Sequence, residues 1–276
     1  MKAKVRKYMQ IKSADQQAKR EPTEQTAKPD LPTMDEYWQL RAETYDQHVA
    51  YEIKQGGCEA WWQVLSKYVG EVSGRKVLDL GTGPGMFAAI FAAHGAAVTA
   101  LDKSSNMLAM ARKNLGDLAA TTKFVLGDVE SYAFSAETFD YIVMRNVTWM
   151  LKFPAVTYAK WQTWLKPGGK LLIVDANWYA YLHDESLKLQ MEKDFQLALR
   201  HGLQPRISAA ESQACAALAA ELPLTYTTRP SFDSALLQQL KFKRVETEEN
   251  LDKRVYALPE QIAYRTSPTF IVVAER

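Results

Sequence analysis

From Arg75 onward the chain alternates short apolar runs with helical stretches, a pattern that restricts it to a parallel sheet with helices on both faces. Lys76–Leu80 reads as a strand that ends at glycines, and Met86–His94 as a helix stopped at Gly95. Ala97–Leu101 is a second strand, ending at Asp102. Ser104 suits the N-cap of a helix that runs to Leu115 and stops at Gly116. Lys123–Leu126, Tyr141–Met144 and Lys170–Val174 are three more strands, the last preceded by a helix over about Ala155–Leu165 and by Lys166-Pro167-Gly168-Gly169. Residues 178 to about 240 break the alternation and read as mostly helical, over Glu185–Arg200, Ala209–Leu222 and Asp233–Leu240. This insert is expected to form a lid over the strand ends. Two strands follow, near Lys243–Thr247 and Thr269–Val273.

Upstream, residues 1 to 32 are polar and partly basic, with Pro22, Pro29 and Pro32 and few apolar side chains. Such a segment cannot offset its ordering entropy, so a disordered tail is expected before a domain over 33–276. That domain opens with helices around Tyr37–Tyr45 and Cys58–Tyr68. Hydrophobic residues make up 47% of the chain, enough for a core that needs no disulfide or structural metal. Cys58 and Cys215 stand far apart without a CxxC or Cys/His cluster, so free thiols and no metal site are expected. A net charge of +2 does not suggest a nucleic-acid partner. No apolar run suits a signal peptide or a membrane span, so a cytoplasmic protein is expected, a monomer or homodimer.

The segment Val77-Leu78-Asp79-Leu80-Gly81-Thr82-Gly83-Pro84-Gly85 carries the most chemistry. Glycines directly after a strand turn the chain tightly and bring its backbone close to a ligand. The helix that follows aims its N-terminal N–H groups at the same place. Asp102, at the next strand end, is positioned to accept two hydrogen bonds from a ribose diol. Asp79 suits a positively charged ligand group such as an ammonium, and would repel a pyrophosphate. Asp128, at the third strand end, is placed to accept from an exocyclic adenine amine. Acids at three consecutive strand ends point to one ligand, because ligands of open α/β sheets bind there.

With these residues the chain resembles the class I S-adenosylmethionine (SAM)-dependent methyltransferases over about residues 35–175. Val77–Gly85 is similar to that family's first motif. Leu101-Asp102 resembles its ribose-binding acid, Ser104–Leu108 the helix start whose Met packs on adenine, and Gly127-Asp128-Val129 its adenine-edge motif. Tyr37-Trp38 through Arg41 and Tyr45-Asp46 looks like the family's N-terminal "W-x-x-R-A-x-x-Y-D" helix, which closes over the cofactor. The resemblance implies a Rossmann-like seven-stranded sheet, its last strand antiparallel. It also implies SAM held by Asp79, Gly81, Thr82, Gly83, Gly85, Asp102, Lys103, Met107, Gly127, Asp128, Val129, Arg145, Asn146, Arg41 and Tyr45. Arg145-Asn146-Val147-Thr148 resembles the same segment of quinone-biosynthesis C-methyltransferases; pairing of Arg145 with a carboxylate is the alternative reading.

The expected activity is methyl transfer to a small-molecule acceptor, mainly by proximity and orientation in an aromatic-lined pocket. His183 is the candidate base, and Trp149, Trp178, Tyr179 and Arg229 are the candidate acceptor-lining residues. The Asn/Asp-Pro-Pro-Tyr motif of nucleic-acid amino-methylating relatives is absent after the fourth strand. Two other readings stand: a SAM-binding sensor or scaffold without turnover, and an NAD(P)-dependent oxidoreductase. The latter needs G-x-G-x-x-G/A from the strand end, and Met86 falls at its last position.

Overall fold

The computed structural model describes residues 32–276 apart from Arg206. Seven strands form one sheet: β1 (Lys76–Leu80), β2 (Ala97–Asp102), β3 (Lys123–Leu126), β4 (Phe139–Arg145), β5 (Leu165–Asp175), β6 (Lys243–Glu248) and β7 (Phe270–Glu275). Their order is β3-β2-β1-β4-β5-β7-β6. The first five are parallel, and β7 runs antiparallel to both β5 and β6. This differs from the 3-2-1-4-5-6 order of the dinucleotide-binding fold, whose strands are mostly parallel. The expected tail falls outside the described residues except for Pro32.

Helices cover both faces. They are α1 (Met34–Lys54), α2 (Gly57–Val69), α3 (Met86–Ala93), α4 (Ser105–Leu115), α5 (Pro154–Trp164), α6 (Glu185–Arg200), α7 (Ala209–Ala219), α8 (Ser231–Gln239), α9 (Asp252–Val255) and α10 (Leu258–Ala263). Side chains alternate between faces along each strand. Val77, Val143, Leu172 and Val174 enter one core with Trp61, Val64 and Phe91 of α2 and α3. Leu78, Leu80, Ile142, Met144, Leu171 and Ile173 enter the other with Tyr158, Trp161 and Trp164 of α5. The central strands are buried on both sides, which explains their near-continuous apolar sequence.

The insert departs from expectation in two places. Its last helix, α8, does not belong to a lid: Leu236 and Leu237 sit in the second core and the helix packs on β6 and β7. The middle helix ends at Ala219 rather than Leu222. Leu222 is extended, as suits a residue before proline, and Pro223 opens a 3-10 turn over Pro223–Tyr226. Among the described residues no helix is long and apolar enough to cross a membrane.

Candidate functional site

A cavity of about 210 Å³ opens at the C-terminal ends of β1, β2, β3 and β4. A smaller one adjoins it, sharing Tyr45, Gly81, Gly83 and Arg145 as walls. The turn after β1 shapes both. Gly81 has φ +61°, and a Cβ there would lie 2.6 Å from Val147 Cγ2. Gly83 has φ +53°, and a Cβ there would meet only the Tyr45 ring at 3.6 Å, so the turn shows bare backbone to the cavity. Gly85 caps α3 from below and does not line either space. Thr82 and Asp79 line the smaller cavity.

Asp79 shares the face of Val77, so its carboxylate points toward α3. Its Oδ2 accepts from Thr82 Oγ1 at 2.6 Å and from the Ala88 N–H at 2.9 Å. Burial pushes its carboxyl up from the ordinary 3.8 to about 7, against both of those bonds, which favour the carboxylate. The folded protein therefore holds a proton at Asp79 over a range where the unfolded chain has released it. Stability falls as pH rises from about 4 to about 7, the window between the two values. Asp79→Asn keeps an acceptor for Ala88 and is expected to remove that share of the fall, read by chemical denaturation at about pH 5 and about pH 8. An equal fall in both proteins would place the proton elsewhere.

Asp102 ends β2 at the cavity wall. Its Oδ2 accepts from the Gly83 N–H and its Oδ1 from the Ser104 N–H, each at 2.8 Å. Burial raises its carboxyl, and the N–H groups of Ser104, Gly83 and Lys103 oppose that rise. With these three N–H donors on it, the carboxylate still has an acceptor position for a ligand. Ser104 caps α4 as expected, accepting from the Met107 N–H at 3.1 Å, and Met107 lines the cavity. Asp128 and Val129 border the far end, where Asp128 Oδ2 accepts from Lys103 Nζ at 2.8 Å. Burial alone would raise the Asp128 carboxyl, but Lys103 and the Glu130 N–H hold it below its ordinary value. Gly127 lies just outside the lining, donating its N–H to Asp102 O, with no room for a Cβ against the Tyr132 ring.

Arg145 leaves β4 on the same face as Asp79 and borders both cavities. Its guanidinium donates to Glu52 Oε1 at 2.6 Å, which also accepts from Trp61 Nε1 at 2.7 Å. It lies over the Trp61 and Phe87 rings at 5.6 and 5.7 Å. The carboxylate-paired reading of Arg145 thus describes this structure. Asn146 follows with φ +59°, and its buried Oδ1 has no hydrogen-bond partner among the described residues.

Several expected residues lie elsewhere. On α1, Trp38 and Tyr45 face the cavity, whereas Arg41 shares the stripe of Tyr37 and is turned toward Glu211 of α7, 3.7 Å away. His183 is exposed beside the Tyr226 ring and does not line the cavity. Trp149, Trp178 and Tyr179 fill a third apolar cluster with Tyr37, Cys215 and Leu222 instead of lining the cavity. Their polar atoms are already used, by Asn146 O, Asp175 Oδ1 and Cys215 Sγ. Arg229 is neither on a surface loop nor in the cavity; it is sealed between Asp175 and Asp233. The cavity is also lined by Met34, Trp38, Met150, Leu151 and Lys152, none of them singled out beforehand except Trp38, as part of the helix motif. Trp38 Nε1 donates to Met150 Sδ at 2.9 Å.

A family model described as a methyltransferase domain matches residues 78–173, the stretch from β1 to β5. A ubiquinone biosynthesis O-methyltransferase of Coxiella burnetii is 29% identical over 44% of this chain and 53% of its own length. A demethylmenaquinone methyltransferase of Clavibacter sepedonicus is 33% identical over 45% of this chain and 50% of its own. The chain thus spans about half the length of these curated relatives. Among solved structures, one described as an S-adenosyl-L-methionine-dependent methyltransferase from Methanococcus maripaludis superposes with a TM-score of 0.54 at 18% identity, covering 91% of this chain and 96% of that one. A Haemonchus contortus phosphoethanolamine N-methyltransferase, in complex with phosphomonomethylethanolamine and S-adenosylhomocysteine, gives 0.55 at 17% identity over 78% of this chain and 52% of that one. Those two likenesses concern the fold. The matched segment runs from β1 to β5, and the sheet has the seven strands and antiparallel last strand that the resemblance implied.

Proposed function

We propose that this protein transfers a methyl group from SAM to a small-molecule acceptor. The observation that carries the reading is the convergence of Asp79, Asp102 and Asp128, from three neighbouring strand ends, around a glycine turn with bare backbone at Gly83. The residues fit the cofactor in kind. Asp102 has an acceptor position left for a sugar hydroxyl, Met107 offers an apolar surface for a base, and Asp79 suits an ammonium. When bound, SAM supplies a methyl group made electrophilic by its sulfonium. This chain's residues bind, orient and exclude water, which is how a transfer by proximity gains most of its rate.

The acceptor is expected against Met34, Trp38, Met150 and Leu151. Thioethers and an indole there suit a flat apolar molecule, and Arg145, Lys152 and the orphaned Asn146 Oδ1 provide polar anchors. This wall replaces the aromatic pocket expected from Trp149, Trp178 and Tyr179. With the quinone-pathway relatives, it puts quinones and phenols first in a screen, then amines. Calorimetric titration with S-adenosylhomocysteine, SAM and NADH tests the cofactor. Binding of the first two alone supports the reading. Binding of NADH instead, or of none by folded protein, sinks it. Binding without turnover on any acceptor would leave a SAM-binding protein rather than an enzyme.

A further inference from the structure

The helix that walls the cavity is fastened along one side by polar side chains. In the first turn of α1, Asp35 lies 2.6 Å from Lys103 Nζ, and the same Nζ lies 2.8 Å from Asp128 at the end of β3. One turn on, Gln39 Oε1 accepts from Ser104 Oγ at 2.9 Å and from the Asn106 N–H at 3.3 Å, while Asn106 Nδ2 donates to Gln39 O at 3.0 Å. Farther along, Asn114 Nδ2 donates to Asp46 Oδ1 at 2.6 Å. From this seam α1 sends Met34, Trp38 and Tyr45 into the cavity wall.

Lys103 occupies a special place in the seam. It is the residue directly after Asp102, and it bridges two carboxylates on separate elements. One of them, Asp128, borders the end of the cavity assigned above to the adenine. A flexible stem and three donors allow an ammonium to serve both acids at once. Burial alone would lower the Lys103 ammonium, and its bonds to Asp128 and Asp35 outweigh that effect. Lys103 and Asp35 are each about half exposed, at 48% and 52%, so the bridge forms in water and can break and reform readily. That is the property of a fastening that opens in use, in contrast to the buried pair that Arg145, at the cavity wall, makes with Glu52, at 9% and 7%.

We propose that Lys103 is a latch for cofactor retention. By joining α1 to Asp128 it holds the helix over the cavity, and the cofactor leaves when the bridge opens. The proposal rests on the cofactor reading above. Lys103 is a positioning residue: it acts through Asp35 and Asp128.

Two variants test it, Lys103→Met, which removes the bridge, and Lys103→Arg, which keeps a cation with several donors. In stopped-flow displacement, Lys103→Met should release S-adenosylhomocysteine about two to five times faster than wild type, the scale expected of exposed ion pairs. Release from wild type should accelerate with salt between about 0.05 and about 0.5 M, release from Lys103→Met much less, and Lys103→Arg should behave as wild type. Hydrogen exchange on the ligand-free proteins gives a readout that needs no cofactor. Amides of Met34–Ala42 should exchange faster in Lys103→Met, with those of α2 unchanged. Equal release rates and salt responses in wild type and Lys103→Met would overturn the latch. If wild type binds no S-adenosylhomocysteine, the cofactor reading has failed, and exchange in α1 alone decides: unchanged protection overturns the fastening, faster exchange supports it.

Discussion

Replacing Arg229 with methionine should lower the free energy of unfolding by about 3–5 kcal/mol, the scale of breaking a buried ion pair by removing one partner. The guanidinium is 1% exposed, and both of its carboxylates are fully buried. Nε donates to Asp233 Oδ2 at 2.7 Å, Nη1 to Asp175 Oδ2 at 3.1 Å and Nη2 to Thr148 Oγ1 at 2.5 Å. Methionine fills much of the volume and leaves two acids buried without a cation. Asp175 also accepts from the Trp149 N–H at 2.9 Å, which holds the 3-10 turn Thr148–Met150 at the end of β4. The loss should therefore reach the cavity wall through Met150. Denaturant unfolding measures the effect, and a fall in midpoint temperature of roughly 10 °C should accompany it. Adding Asp175→Asn and Asp233→Asn to Arg229→Met removes the stranded charges and should recover part of the loss. A stability within about 1 kcal/mol of wild type for Arg229→Met alone would show that the triad is not holding this corner together.

Asp102→Asn should weaken binding of S-adenosylhomocysteine by about ten- to a hundredfold, with the fold intact. A charge-assisted hydrogen bond contributes about 1.5–3 kcal/mol, and the amide retains one acceptor where the carboxylate had two. The variant must still accept from the Gly83 and Ser104 N–H groups, now with one oxygen, so one of these donors loses its partner. Calorimetry of the folded variant reads the change. Wild-type affinity would remove Asp102 from the cofactor site. The expected loss exceeds that for Lys103→Met because Asp102 is partly buried at the wall and tied to the Gly83 and Ser104 N–H groups, while Lys103 is half exposed.

The sheet and the glycine turn could be read from sequence because their determinants are local. A short apolar strand, glycines and a capped helix lie within a few residues of one another. Ser104 as a cap and Gly116 as a stop fell where the structure has them. The side chains around the cavity were harder to place because their direction depends on which stripe of a helix faces it. Trp38 and Tyr45 lie seven positions apart and share a stripe, whereas Arg41 lies four positions after Tyr37 and goes with it into the packing against α7. Helical spacing carried that distinction, and a motif matched as a string lost it. Arg229 and Asp233, at i and i+4, hinted at a pair, but Asp175 and Thr148 join them only through the fold. Glu52 as the partner of Arg145 had no local signal, since helix α1 and strand β4 meet only in the tertiary structure. His183 and the aromatic residues near it follow β5, which made them candidates by position. The chain there turns them outward or into a cluster of their own.

The placement of β7 also bears on the order in which the molecule assembles. β1, β2 and β3 are joined by units of neighbouring sequence, so the part of the sheet bearing the glycine turn and its three acids has the more local pairings and can form first. β5 and β6 do not pair with each other; both pair with β7, which enters antiparallel between them, Asp175 opposite Phe270 and Thr247 opposite Val272. Until that late strand inserts, β5 presents a long apolar edge, a surface on which partly folded chains can pair with one another. Refolding should therefore be slowest, and most sensitive to protein concentration, at the β5-β7-β6 side.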